Sequence, residues 1–272
     1  MAPPRILLRD GSKHVRSAVS SMCGDYSPSE KRTSSRIAEC VLKTDNVEPG
    51  SLCFFDWSKD LVASSHKISR RNLECTPYRP KNTPGKGFSA RICPLEIALE
   101  TREEFTSLVP RYKDECFFSI LDAIRQDTRG FSCISSLGSL LRYIDTLMKS
   151  DEIKNESYSV VASLPVYSAV RGMAFHPGSC SGIWTPTNNS RFGLGGADGM
   201  IQNIRVLYSY RVPPGEMVVM RPGKFLGALL VATDGVVFNS NRPDSPVQKW
   251  TGRTEFAMFL RSGGVRFLRW VD

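Results

Sequence analysis

No run in the 272-residue chain comes near the ~18 apolar residues a membrane-spanning helix needs; the longest, Phe225 to Val231 and Val160 to Leu164, are strand-sized. Met1-Ala2-Pro3-Pro4-Arg5 is followed by only three apolar residues before Arg9 and Asp10, too few for the centre of a secretory signal, so synthesis in a cytoplasm is expected. Histidine is scarce. His14, His66 and His176 have no second histidine or carboxylate at metal-ligand or relay spacing. His176 and Cys180 are four apart, but Pro177-Gly178 keeps them off a shared helix face, so a thiol enzyme built on Cys180 lacks its base. There is no Gly-x-Ser-x-Gly elbow, His-Glu-x-x-His pair, calcium loop or Cys-x-x-Cys. The Gly-rich stretch Gly193 to Gly199 runs into a strand pattern rather than a helix, and no Gly-Lys-Ser/Thr follows it, which favours a flexible excursion over a phosphate loop. No catalytic residue, metal ligand or cofactor site can be nominated, and a non-enzymatic protein is expected.

What is present is a globular composition, 41% hydrophobic and 10% aromatic, with a basic surplus of 36 Lys and Arg over 27 Asp and Glu, net +9. The surplus is uneven: Lys67, Arg70, Arg71, Arg79, Lys81, Lys86 and Arg91 stand against Glu74 alone. That stretch suits an acidic partner or a polyanion, or is a loop kept soluble by like charges. Tyr78 and Phe88 lie among these residues, yet nothing matches a helix-turn-helix, a zinc finger or a single-strand RNA module, so only sequence-independent contact with nucleic acid is supported. Eight cysteines at wide, irregular spacings exclude a zinc-finger pattern. They read either as buried or half-exposed thiols, or as thiols that oxidise after assembly; on the second reading Cys23, Cys40, Cys53 and Cys75 are the candidates for disulfides, with Cys23 and Cys40 best placed for bonds between subunits.

Residues 1–45 are polar, Ser-rich and basic, a segment that makes no core of its own and reads as an arm. Residues 46–100 carry short strand-like runs, Leu52 to Phe55 and Leu61 to Ala63, among Pro77, Pro80, Pro84, Gly85 and Gly87, and read as a long exposed excursion. From Phe105 the apolar residues Leu108, Val109, Tyr112, Cys116, Phe117, Ile120, Leu121 and Ile124 recur at helical steps, with Thr101 and Glu104 as a capping box, Pro110 as a kink or restart and Gly130 as the stop; this predicts one helix of roughly 35 Å at about 1.5 Å per residue. A second helix is predicted over Leu137 to Met148, then a strand over Tyr158 to Ala162 and a short helix from Ser163 to about Arg171. Residues 176–199 are expected to be a loop. Strands follow over Ile201–Tyr208, Met217–Met220, Phe225–Val231, Val236–Phe238, Phe256–Leu260 and Val265–Val271, with Pro213-Pro214-Gly215 and Thr233-Asp234-Gly235 as turns, so the last third is expected to be a sheet.

This α+β order, with Phe88 to Glu96 leading into Thr101 to Phe105, Ser159 to Tyr167, and Ile204 to Glu216 followed by Phe225 to Leu229 and Asp234 to Val236, resembles the Hong Kong 97-like capsid fold of tailed-phage major capsid proteins and encapsulin shells. The resemblance implies an N-terminal arm over 1–45, an extended loop and entering strand over 46–100, a spine helix over 101–130, an axial domain over 131–230, and returning strands of the peripheral-domain sheet over 231–272. It implies a subunit that assembles with itself, in hexamers and pentamers, into an icosahedral virion shell around double-stranded DNA, assembled in the host cytoplasm with portal and decoration proteins. Because the chain begins at Met1 with a short arm, the scaffolding protein is expected to be separate or absent. Inter-subunit contacts are expected at Arg5, Arg9, Arg16, Lys31 and Arg32 on the arm and at Arg70, Arg71, Arg79, Lys81 and Lys86 on the loop. An encapsulin-type compartment, or another virion component such as a connector or decoration protein, are the alternative readings.

Overall fold

The computed structural model describes residues 37–55, 60–68, 73–80, 88–92, 94–99, 102–151, 157–175, 184–186, 199–239 and 250–271. The fold is α+β. It divides into two compact units, each assembled from separated stretches: one holds Arg36–Thr128 with Gly223–Val265, the other Arg129–Pro222 with Arg266–Asp272.

The first unit contains α1 (Ile37–Val41), β1 (Lys43–Asn46), β2 (Leu52–Phe55), β3 (Leu61–Ile68), β4 (Leu73–Tyr78), β5 (Phe88–Arg91), β6 (Pro94–Leu99), α2 (Arg102–Asp127), a single helical turn over Gly223–Leu226, and the strands β13 (Gly227–Asn239) and β14 (Trp250–Arg261). Its main sheet has the order β1-β13-β14-β3-β4, and β6 also pairs with β14; β2 and β5 form a separate two-stranded ribbon. α2 has 26 residues, about 39 Å, and runs on through Pro110 without the restart that residue invited. It ends at Asp127, where the Thr128 hydroxyl bonds back to Ile124 O and Gly130 takes a positive φ of 79°. Its stripe Val109, Tyr112, Cys116, Phe117, Ile120 and Ile124 is buried, as the spacing predicts. Tyr112 meets the Phe256 ring edge-on at 5.8 Å, so Phe256, Met258 and Leu260 of β14 line the sheet face beneath α2. The residues between them face the other way, where Phe259 joins Leu61, Ala63, Ile92, Ala228 and Leu230 in a cluster.

The second unit contains β7 (Ser132–Ile134), α3 (Leu137–Ser150), β8 (Ser159–Ala162), α4 (Leu164–Phe175), β9 (Trp184–Pro186), β10 (Gly199–Ile201), β11 (Ile204–Tyr208), β12 (Glu216–Met220) and β15 (Val265–Trp270), in a sheet ordered β7-β15-β12-β8-β11-β10-β9. The Ser136 hydroxyl accepts from Ser139 N at 3.1 Å and the Ser139 hydroxyl accepts from Ser136 N at 3.0 Å, a reciprocal cap that starts α3. β8 is buried throughout, parallel to β11 and antiparallel to β12.

Four sequence expectations change. The stretch read as one strand, Ile201 to Tyr208, is a hairpin that turns at Gln202, whose φ is 55°. Trp184–Pro186, expected in a loop, is an edge strand against β10. Thr233-Asp234-Gly235 is no turn: β13 continues through it, with register shifts against β14 on either side of Thr233. The last third forms no single sheet, because β13 and β14 belong to the first unit while β15 pairs with β7 in the second. Pairing partners lie far apart in sequence, and apolar alternation does not encode which strand a given strand will meet.

Candidate assembly elements

A five-residue helix such as α1 has no stability of its own. It is held by a charged pair in the middle of α2. The Asp114 carboxylate accepts from Ile37 N at 3.2 Å and Ala38 N at 2.8 Å, two first-turn amides that a helix leaves without carbonyl partners. Its neighbour Lys113 is buried and donates to Glu39 Oε1 on α1 and to Asp234 Oδ1 in the β13 irregularity, both at 2.9 Å. The same irregularity is braced by Glu255, which accepts from the Thr233 hydroxyl at 2.9 Å and from Arg253 at 2.8 Å. Burial pushes the Asp114 carboxyl up to about 7; Glu39 and Glu115 add to this, and the two amide bonds oppose it. Adjacent charges on a helix normally mark its wet side, so periodicity gave no signal for this anchor.

The β3–β4 hairpin is the second element. β3 pairs with β14 only over Leu61 to Ala63, whereas its pairing with β4 runs from Ala63 to Ile68. Past Ala63 the ribbon therefore has no sheet neighbour on the β14 side among the described residues. β4 is tied instead to α2: Cys75 is disulfide-bonded to Cys116, with Cα atoms 5.1 Å apart, and the Ser119 hydroxyl donates to Cys75 O at 2.8 Å. Arg79 pairs with Asp127 at the end of α2, both side chains more than half exposed.

In the second unit Asp151 follows α3. Burial alone would push its carboxyl up, but hydrogen bonds from Arg221, through both Nε and Nη2, and from the Tyr158 hydroxyl at 2.7 Å outweigh it and hold the group below the usual carboxylate range. Arg269 lies over the Phe131 ring at 5.4 Å. Among this unit's described residues nine Lys and Arg stand against Asp145, Asp151 and Glu216. Tyr210 and Met173 are large apolar residues exposed here, and Leu52 and Tyr78 are exposed in the first unit.

No protein-family model matches the sequence, and no curated protein matches it. The likeness is to solved shells. The backbone is similar to the virus-like particle from Pyrococcus furiosus, at 7% identity, TM-score 0.42, over 93% of this chain and 96% of that one. It is similar to an encapsulin complex from Synechococcus elongatus, at 10% identity, TM-score 0.44, over 86% of each chain, and to the capsid of the cyanophage P-SCSP1u, at 10% identity, TM-score 0.42, over 85% and 86%. Most of the structures it resembles are phage capsid proteins.

Of the residues the sequence nominated for inter-subunit contact, only Arg79 lies among the described residues, exposed and paired with Asp127. Arg5, Arg9, Arg16, Lys31, Arg32, Arg70, Arg71, Lys81 and Lys86 lie outside them, as does Cys23. Cys75 does form a disulfide, but within the chain and with Cys116, which the sequence reading did not nominate because it sat on the apolar stripe of α2. Cys40 and Cys53 are half-buried. Among the described residues no group of three or more metal-ligating side chains converges, and no helix is long and apolar enough to cross a membrane.

Proposed function

We propose that the chain is a non-enzymatic shell subunit of the Hong Kong 97-like kind, which assembles in hexamers and pentamers into the icosahedral capsid of a tailed phage around double-stranded DNA. The observation that carries the reading is the β3–β4 hairpin, which leaves the sheet after three residue pairs with β14. Past Ala63 the β3 edge of this ribbon has no sheet partner among the described residues, while β4 is held along α2; such an open edge is what a neighbouring shell subunit can cover. The long helix α2 on a twisted sheet gives the rigid body that repeated contacts require. α1, clamped by Lys113 and Asp114, fixes where the N-terminal segment leaves that body. The basic surplus of the chain, 36 Lys and Arg over 27 Asp and Glu, suits contact with enclosed polyanion without base readout.

Electron microscopy of the purified chain, expressed alone and then with its neighbouring genes, tests this. Closed shells or tubes are expected, with nucleic acid inside when the packaging genes are present. Shells that co-purify with an enzyme cargo and no DNA would establish the encapsulin-type reading instead. A ring or small oligomer under both conditions would remove both and leave a connector or decoration protein.

A further inference from the structure

We propose that the N-terminal segment of this chain, residues 1–36, docks through Ile6-Leu7-Leu8 on the face of the second unit's sheet that carries no helix. The strand registers assign the two faces. Tyr208 of β11 meets the Tyr167 ring of α4 at 5.5 Å; Tyr208 is in register with Ala162, and Ala162 with Met217, so these residues and every second one from them point to the α4 side. α3 lies on that side too, because Asp151 at its end bonds to the Tyr158 hydroxyl and to Arg221, which continue the same alternation along β8 and β12. The residues between them point the other way. Val161, Leu207, Val218 and Met220 form the centre of this second face. Glu216 shares it and pairs with Arg269 of β15, which places Phe267 there as well.

Neither helix of the unit covers this face, yet Val161 and Met220 are 0% exposed, Leu207 1%, Val218 4% and Phe267 7%. A sheet buries an apolar face only against another layer. The exposure is that of one chain by itself, so the cover is the chain's own. Length and composition select the segment. Of the stretches outside the described residues 1–36 is the longest, and Ile6-Leu7-Leu8 is the only place in any of them where three apolar side chains follow one another. The next longest, 187–198, is mostly Gly, Asn, Ser and Thr, with Phe192 and Leu194 standing apart. Reach sets no limit: from Ile37, where the described chain begins, back to Leu8 the backbone spans up to ~3.4 Å per residue, enough to cross a domain of this size. The docking belongs to the single chain and does not depend on shell assembly.

The test is photo-crosslinking of the full chain with a benzophenone amino acid in place of Leu7, followed by denaturing electrophoresis and a peptide map of the monomer-sized band. The expected result is adducts on the peptides of β8, β11 and β12, at least tenfold above those from the same probe at Met173, which is exposed on α4 on the helix side of the sheet. Adducts confined to other parts of the chain, or found only in a dimer-sized band, would overturn the docking. A second variant, with Ile6, Leu7 and Leu8 all changed to Ser, should bind an apolar dye at least threefold more strongly while its circular dichroism stays the same; unchanged dye binding counts against the docking equally. The crosslinked protein keeps Ile6 and Leu8, so its map decides the question even where the triple variant fails to fold.

Discussion

At Asp114 burial and hydrogen bonding act on one carboxyl in opposite senses. Burial wins and pushes the group up to about 7, although Ile37 N and Ala38 N both donate to it. An unfolded aspartate releases its proton near 3.9, at about 1.36 kcal/mol per unit of difference. Between roughly pH 4 and 7 the native state therefore holds more protons than the unfolded state, and stability falls as pH rises through that window, by roughly 4 kcal/mol at most from this group. Asp114→Asn keeps an acceptor for the α1 amides and removes the charge, so this part of the pH dependence should vanish. Urea unfolding at pH 5 and pH 8 checks it: the native chain should lose stability between the two values and the variant should lose several-fold less. An identical difference in both proteins would rule out Asp114 as the source. The sequence hid this residue for a physical reason. Helical periodicity is read from apolar residues, so Lys113, which sits on the buried stripe between Val109 and Phe117, and Asp114 at its margin gave no signal; α1 and the β13 irregularity supply the polar partners that let them be buried there.

Among the elements, α2 and α3 were legible because long-range packing and local pattern agree there: a stripe at helical spacing, a serine cap and a glycine stop. The strands were legible as strands but poorly as partners. Thr233-Asp234-Gly235 has turn composition, yet β13 runs on through it because Thr254 and Glu255 of β14 bond to Thr233, and Lys113 of α2 bonds to Asp234. Gly227, at the start of β13, had no signal of its own. A Cβ there would stand 2.2 Å from the Phe259 carbonyl oxygen of the paired strand, and ladder pairing with Leu260 leaves neither backbone room to retreat. Gly227→Ala should therefore lower stability by about 3 kcal/mol or more, among the large effects for a single methyl. Gly172→Ala is the contrast: the helix α4 leaves open space there, and the change should add about 0.5–1 kcal/mol through helix propensity. Thermal unfolding of the two variants separates backbone crowding from a general intolerance of alanine.

Across the whole molecule, the apolar pattern of a strand does not say which unit it joins: Gly223–Val265 returns to the unit begun by Arg36–Thr128, while Arg266–Asp272 joins Arg129–Pro222. Which unit captures a strand is decided by free ladder edges, and those exist only once the rest has folded. Charge, by contrast, is legible without the fold, and it carries the final prediction. Arg70 and Arg71 lie between β3 and β4, outside the described residues, on the hairpin proposed to reach a neighbouring copy. The hairpin's own pairing and its links to α2 use Ser64 to Ile68, Leu73 to Tyr78 and Arg79, none of which a change at 70 or 71 removes. Reversing both charges to Glu should then leave the monomer's stability within about 0.5 kcal/mol, the usual scale for surface changes, while an interface built on opposite charge becomes repulsive at every symmetry-related contact. Micrographs should show no closed particles, with circular dichroism and thermal midpoint unchanged. Partial assembly should return in high salt, since screening at 1 M shortens the reach of such repulsion to about 3 Å. Normal particles from the double variant at low salt would remove these arginines from the interface.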